Sequence, residues 1–166
     1  MSSQISITEA GINDIPVIQQ VTNITWPVTY GEIVSAEQLN YMLELIYSTA
    51  SLTQQMQRGD TFILAKENNN TIAFAAYALI NEPEIYKLHK LYALPNQQGK
   101  GLGKLLIHYI VAQIKPLGAT ALQLNVNRYN KAKTFYEHLG FKVIKEEDIN
   151  IGNSYFMNDY VLELAL

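Results

Sequence analysis

Alternation of apolar and polar residues predicts strands in the middle of the chain. Residues 61–67 and 71–80 are rich in β-branched and apolar side chains, and the three asparagines between them favour a turn. The two segments therefore predict a β-hairpin. Residues 84–94 predict a third strand, which ends at Pro95 because proline cannot donate to a sheet.

Beyond Pro95 the pattern of apolar residues predicts helices that alternate with strands. From Leu102 the apolar residues recur at helical spacing until Pro116 and Gly118 break the pattern. A second helix is predicted to begin at Asn130, a residue type favoured as an N-cap, and to close at Gly140. Three further strands are predicted at 120–126, 141–147 and 154–166.

Residues 1–60 have a different pattern, a short strand followed by helices. Ser35 and Gln38 match the start of a capping box. The complete order of elements is one strand, helices, and then βββ–α–β–α–ββ, which predicts an α/β or α+β sandwich with an antiparallel run and one βαβ unit. The strand is predicted at 4–8 and the helices at 12–24, 35–47 and 50–58.

Composition bounds the class of protein. The chain has 166 residues, of which 48% are hydrophobic and 16% charged, so we expect one globular domain over residues 1–166. No apolar run has the length of a membrane span, and the N-terminal segment lacks the pattern of a signal peptide, so we expect a cytoplasmic protein. The absence of cysteine excludes disulfides, zinc–thiolate sites and a cysteine nucleophile.

Charge is distributed in three blocks. Residues 1–86 hold nine acidic and two basic side chains, residues 87–145 hold one acidic and ten basic, and residues 146–166 hold five acidic and none basic. The blocks therefore carry net charges of −7, +9 and −5. A basic block between acidic ones favours a bound polyanion in one place and a cation in another. Because the whole chain is acidic and has no basic tail, we expect no nucleic-acid partner.

The segment QQGKGLGK, residues 97–104, follows a predicted strand and opens a predicted helix. Its glycine spacing fits neither a P-loop nor a dinucleotide-binding fingerprint. The pattern that remains is Gln98-x-x-Gly101-x-Gly103. Glycines let the backbone come close to a ligand, and the unpaired N–H groups of a first helical turn favour an anion such as pyrophosphate. The alternative is a simple glycine turn.

The segment 88–145 resembles the GNAT superfamily of N-acetyltransferases. In that family the glycine pattern is the pyrophosphate loop for acetyl-coenzyme A, and a second signature recurs here as Asn130, Ala132 with an offset of one residue, Tyr136, Gly140 and Phe141. The first helices resemble a bacterial branch that includes polyamine-type acetyltransferases. The resemblance implies a mixed central sheet of about seven strands, with two splayed parallel strands and about four flanking helices.

The resemblance also implies how acetyl-coenzyme A would bind. The loop would hold the pyrophosphate, the strand before it would pair with the pantetheine arm, and two residues of the second signature would lie beside the cofactor. The residues so implied are Gln98, Gly99, Lys100, Gly101, Leu102, Gly103 and Lys104 in the loop, Leu91, Tyr92 and Ala93 in the strand, and Asn130 and Lys133 downstream.

Tyr136 is, by the same resemblance, the general acid that protonates the departing thiolate. Many relatives carry a glutamate base on the strand before the loop, where this chain has Lys87. Glu84 and His89 are the nearby candidates for a base, with Tyr86 as part of a water chain, and a water relay to solvent is equally open. His89 shares a strand face with Lys87 unless a bulge intervenes.

We expect the acceptor amine to lie against the first helices, with Trp26, Tyr30 and Glu32 lining its site, since acidic and aromatic side chains suit a cation. The predicted function is transfer of acetyl from acetyl-coenzyme A to a primary amine by direct attack in a ternary complex. The alternative is a non-catalytic acyl-coenzyme A sensor. The three histidines do not cluster with carboxylates, so no metal site is expected. A C-terminal edge strand could pair two chains into a homodimer.

Overall fold

A seven-stranded sheet forms the centre of the protein. The computed structural model describes residues 4–81 and 84–166. The strands lie in the order β1-β2-β3-β4-β5-β7-β6. Their bounds are Ile5–Glu9 (β1), Thr61–Glu67 (β2), Asn70–Asn81 (β3), Ile85–Ala93 (β4), Ala121–Asn127 (β5), Lys142–Gly152 (β6) and Tyr155–Ala165 (β7).

Helices cover both faces of this sheet. The helices in the described ranges are Ile15–Tyr30 (α1), Ala36–Tyr47 (α2), Thr49–Gln57 (α3), Leu102–Ile114 (α4) and Ala132–His138 (α5). One core cluster joins the inner side of α4 to residues such as Leu88, Leu122 and Leu124, and a second joins α1, α2 and α3 to residues such as Phe62 and Phe74. None of these helices has the length and apolar character needed to cross a membrane.

The parallel strands β4 and β5 are paired along only part of their length. All other neighbouring strands are antiparallel, and α4 provides the crossover that a parallel pair requires. Ladder pairing joins Ile85–Leu88 to Ala121–Leu124 and does not continue beyond Leu88 in the described structure. The carboxyl ends of the two strands therefore diverge, and the gap opens toward the first turn of α4.

A β-bulge at His89 reverses the facing of β4. Tyr77 of β3 is opposite Leu88, whereas the adjacent Ala76 is opposite Lys90, so His89 is the extra residue. Leu88 consequently faces the α4 side, while Lys90 faces the α1–α3 side. The alternation of side chains between the two faces of β4 is therefore interrupted at His89, the position where the sequence analysis allowed for a bulge.

The predicted fold and order of elements are confirmed, with differences at their ends. α1 continues through Pro27 to Tyr30, six residues beyond its predicted end. The described chain has the five helices that the periodicity predicted, one more than the resemblance implied, and Ser48 ends α2 and caps α3. Ser35 caps α2 as predicted, accepting a hydrogen bond from the Gln38 backbone N–H at 3.1 Å.

Candidate active site

A cavity of about 810 Å³ lies where β4 and β5 diverge. This volume is in the range of small-molecule and cofactor sites. Its walls come from the ends of β4 and β5, the turn before α4, the segment that leads into α5, and the end of α1. The lining residues are 28–30, 32–33, 88–93, 97–99, 101–103, 124–126, 129–132 and 135–136.

The glycine loop reaches this cavity with its backbone. Gly99 and Gly101 have φ values of +81° and +80°, a conformation that side-chain-bearing residues rarely adopt. Gly101 is the N-cap of α4 and provides no side chain, so the first N–H groups of the helix face the cavity without a side-chain cap. This cradle fits a pyrophosphate.

Gly103 is required for a different reason. A Cβ atom at this position would lie 2.8 Å from the ring of Phe135, so the glycine allows α5 to pack closely on α4. Gln98, Gly99, Gly101, Leu102 and Gly103 line the cavity. The lysines of the loop are not among the lining residues, and the Lys100 ammonium donates to the Gln97 side chain at 3.1 Å. Lys104 is exposed.

Leu91, Tyr92 and Ala93 form the β4 wall of the cavity. On one side these residues pair with β3, opposite Ala75, Phe74 and Ala73. On the other side, ladder pairing to β5 has already ended at Leu88 within the described structure. The backbone groups on that side are consequently available to an extended ligand that pairs like an added strand.

Tyr136 enters the cavity from α5. Its ring packs edge-on against Phe135 and Phe141, with centroid distances of 5.1 and 5.7 Å, and the residue is only 9% exposed. Burial raises the pKa of its hydroxyl, and Tyr30 raises it further. The phenol therefore keeps its proton at neutral pH and can act as a donor.

An aromatic wall closes the side of the cavity toward α1. The hydroxyl oxygens of Tyr30 and Tyr92 lie 3.2 Å apart, in hydrogen-bonding distance. Trp26 does not line the cavity but supports both rings, with centroid distances of 4.7 Å to Tyr30 and 5.7 Å to Tyr92. Glu32 lines the cavity beyond the end of α1. Of the residues predicted to line the site of the acceptor amine, Tyr30 and Glu32 line the cavity, and Trp26 packs behind Tyr30.

The two candidate bases lie in very different places. His89 lines the cavity, and burial lowers its pKa to about 4, so its ring is neutral at pH 7 and a weak base. Glu84 lies at the other end of β4, where its carboxylate accepts from the Thr120 hydroxyl at 3.3 Å, and it does not line the cavity. Lys87 is half-buried, and burial lowers its pKa.

The two downstream residues also differ in position. Asn130 lines the cavity, and its side-chain oxygen accepts a hydrogen bond from the Ala132 N–H at 2.9 Å at the start of α5. Lys133 lies outside the cavity wall, 3.6 Å from the Glu137 carboxylate and 5.0 Å from the centre of the Tyr160 ring. In residues 4–81 and 84–166 there is no cluster of three or more ligand-type side chains that could hold a metal ion.

Two features of the site were not found from the sequence. Lys90 is buried in the wall of the cavity, and its ammonium donates to the Gln55 side chain at 2.6 Å. Asn125 lines the cavity from β5 and donates to Asp159 of β7 at 3.3 Å. The alternation of apolar and amide residues in β5 was the signal available for Asn125, whereas the facing of Lys90 depends on the bulge.

Comparison with known proteins agrees with this geometry. The family model described as "Acetyltransferase (GNAT) domain" matches residues 32–157. The chain is 31% identical to the [ribosomal protein bS18]-alanine N-acetyltransferase of Haemophilus influenzae over 107 residues, which are 63% of this chain and 68% of that protein. It is 28% identical to the spermidine N(1)-acetyltransferase of Thermoplasma acidophilum over 146 residues, 84% of this chain and 89% of that one.

A solved structure extends the likeness to the whole fold. The crystal structure of PaiA N-acetyltransferase from Thermoplasma acidophilum, in complex with coenzyme A, matches with a TM-score of 0.84 and 26% identity. The match covers 98% of this chain and 99% of that one. The diverging strands, the uncapped start of α4 and the extended family match agree, and the chain therefore belongs to the GNAT family, the N-acetyltransferases that use acetyl-coenzyme A to acetylate an amine.

Proposed function

We propose that residues 1–166 act as one domain that transfers acetyl from acetyl-coenzyme A to a primary amine of a small molecule or peptide. The transfer proceeds by direct attack in a ternary complex. The observation that carries this proposal is the convergence, in one cavity, of the unpaired side of β4, the uncapped first turn of α4 and the hydroxyl of Tyr136.

The chain's own backbone would hold acetyl-coenzyme A. N–H groups in the loop from Gln98 to Lys104 would bind the pyrophosphate, since the helix dipole favours negative charge there. Backbone groups of Leu91, Tyr92 and Ala93 would pair with the pantetheine arm, and one amide would donate to the thioester oxygen. Lys100, Lys104 and Lys133 would add positive charge at the rim rather than direct contacts.

Tyr136 would provide the proton for the leaving thiolate. Bound acetyl-coenzyme A supplies the acetyl group as an activated thioester. As the new C–N bond forms and the C–S bond breaks, the phenol donates its proton to sulfur, and its raised pKa keeps that proton in place until charge develops. The sequence has no cysteine to carry the acetyl group, which favours direct attack.

The acceptor's own proton would leave by His89 or by a water relay. His89 lines the cavity as a neutral ring, and its low pKa makes it a weak base that passes a proton on rather than storing it. Glu84 is left out of this step because it lies at the far end of β4. Lys87 offers no carboxylate where many relatives have one.

The acceptor side favours a cationic amine. Tyr30 and Tyr92 present aromatic surface, Trp26 supports them, and Glu32 adds negative charge at the edge. The named relatives are described as acting on spermidine and on the alanine of a ribosomal protein, both of which offer primary amines. Spermidine and a short peptide with an N-terminal alanine are therefore the first acceptors to test.

Turnover of Tyr136→Phe tests the proposal. We expect kcat to fall about 100-fold, the usual contribution of a general acid, while calorimetry gives an unchanged Kd for acetyl-coenzyme A. Tyr109→Phe is the control, since Tyr109 is a half-buried tyrosine of α4 that does not line the cavity. Binding of acetyl-coenzyme A without acetylation of any amine would favour the sensor alternative, and an absence of binding would overturn the proposal.

Location and assembly stay predictions. We propose that the protein works in the cytoplasm. Fractionation of cells, with detection by an antibody, tests this.

A homodimer would use β6, which is an edge of the sheet. The charged residues of β6 and its register shift beside Val143 are features that limit edge pairing. Light scattering, which measures the mass of the protein in solution, distinguishes a monomer from a homodimer.

A further inference from the structure

Strand β5 presents chemically different residues on its two faces. Leu122, Leu124 and Val126 belong to the core beneath α4. The residues between them, Gln123 and Asn125, face the opposite side and bond to carboxylates of β7. Only Asn125 of these two lines the cavity. Its amide therefore lies between the cavity and the carboxylates behind it.

The hydrogen-bond partner of Asn125 determines how its amide is oriented. The Asn125 NH₂ group donates to Asp159 Oδ2 at 3.3 Å. Because a carboxylate oxygen accepts hydrogen bonds, Asp159 directs the NH₂ group of Asn125 toward itself. The carbonyl oxygen is left for the cavity.

Asp159 is buried next to Asn125. The residue is 6% exposed, and its other oxygen, Oδ1, is buried with no hydrogen-bond partner among residues 4–81 and 84–166. Burial raises the pKa of Asp159, whereas Lys87 and Arg128 favour its charged form without forming an ion pair with it in that part of the chain. A buried carboxylate without a direct cation leaves negative potential in the space before it.

That potential extends to the aromatic wall of the cavity. The pKa of Tyr30 is raised first by burial, and Asp159 raises it further. The hydroxyl of Tyr30 and the amide of Asn125 therefore bound a region that disfavours negative charge and favours a cation.

We propose that Asn125 is the residue that receives the acceptor amine. Its carbonyl oxygen accepts a hydrogen bond from an N–H of a primary alkylamine, and the amine arrives as a cation attracted by Asp159. Asp159 is a positioning residue, which fixes the orientation of the Asn125 amide. This inference rests on the proposed function and names the acceptor contact within it.

Steady-state kinetics of matched variants test the inference. Asn125→Leu keeps the number and branching of the side-chain heavy atoms and removes the carbonyl, so the KM for spermidine should rise roughly 10- to 100-fold, the effect of a hydrogen bond to a charged group. The KM for acetyl-coenzyme A should stay within about twofold of wild type. Gln123→Leu is the control, because Gln123 lies on the same strand face and bonds to Glu163 but does not line the cavity.

Asp159→Asn tests the positioning role separately. An asparagine at 159 can donate as well as accept, so the Asn125 amide is free to reverse, and the KM for the amine should rise several-fold with little change in kcat. Because a variant could fold poorly, amine binding is also measured by calorimetry on each protein saturated with coenzyme A. That measurement should show the same rank order of affinities.

The outcomes of these experiments distinguish a failure of this inference from a failure of the proposed function. If wild type acetylates spermidine and Asn125→Leu has the same amine KM as Gln123→Leu, the inference is overturned and the proposed function stands. A parallel rise of both KM values in Asn125→Leu also overturns it, since that result indicates a distorted cavity. If wild type binds acetyl-coenzyme A and acetylates none of the tested amines, the proposed function fails first.

Discussion

Replacing Lys90 by methionine should change how stability depends on pH. The Lys90 ammonium is buried between β4 and α3, where it bonds to Gln55 and lies 5.3 Å from the centre of the Phe62 ring. Burial lowers its pKa from 10.5 to about 8, although the charge of Asp60 opposes that shift. Burial of the charged form of Lys90 therefore lowers the free energy of unfolding of the protein at neutral pH.

The size of this cost follows from the shift. The lowering of the pKa from 10.5 to about 8 corresponds to roughly 3 kcal/mol between the charged and neutral forms of Lys90. Lys90→Met removes that cost but leaves the Gln55 oxygen unpaired, which costs about 1–3 kcal/mol. We expect the variant to be about 1 kcal/mol more stable than wild type at pH 7.

The order of stabilities should reverse at high pH. Between pH 8 and 10.5 the unfolded lysine keeps its proton while the folded one has lost it, so the free energy of unfolding of wild type rises with pH. By pH 10.5 wild type gains about 3 kcal/mol that Lys90→Met does not, and the variant becomes the less stable protein.

Urea unfolding at pH 7 and pH 10.5, followed by circular dichroism, measures both proteins. Lys115→Met, at an exposed position, is the control for general effects of a lost charge. A difference between Lys90→Met and wild type that stays constant over this pH range would refute the argument, because it would show that Lys90 keeps the same protonation in both states.

Two further predictions follow from the site. Because burial lowers the pKa of His89 from 6.5 to about 4, the unfolded state binds up to one more proton in that range, and wild type should lose roughly 2.5 kcal/mol of stability as pH falls from 6.5 to 4. Urea unfolding at both pH values should show a loss smaller by this amount in His89→Gln, and equal losses would contradict the assignment. Gly101→Ala should cost about 1–2 kcal/mol because φ is +80° there, and should weaken acetyl-coenzyme A binding through a displaced loop. Thermal unfolding and calorimetry measure these effects against Gly11→Ala, whose Cβ would meet no atom within 4 Å, and unchanged binding would remove the loop from the cofactor site.

The sequence predicted the parts of the site that depend on local pattern. Gln98, Gly101 and Gly103 were identified by their spacing after a strand and before a helix, and all three line the cavity. Tyr136 was identified by the family signature around it, and it lines the same cavity. Their catalytic and binding roles stay predictions, whereas the fold, the enzyme class and the use of acetyl-coenzyme A are confirmed by the family match.

Other parts of the site could not be predicted because they depend on strand register. The bulge at His89 turns Lys90 toward the α1–α3 core, and a period-two pattern places it on the wrong face. Glu84 and His89 were both candidates for the base because they are close in sequence. In the structure His89 lines the cavity, whereas Glu84 lies beside Thr120 at the start of β4, away from the cavity. Helix α1 continues through Pro27 to Tyr30, whereas the periodicity predicted its end at residue 24.

The sequence by itself determined which segments are helices and strands, the positions that require glycine conformation, and the order of elements that specifies the fold. These properties follow from side-chain periodicity and backbone freedom over a few neighbouring residues. Only the tertiary structure decided where β4 and β5 separate, which side of the sheet Lys90 faces, and that Asn125 meets Asp159 from a distant strand. Those features depend on hydrogen-bond register and packing between segments far apart in the chain, which no local pattern records.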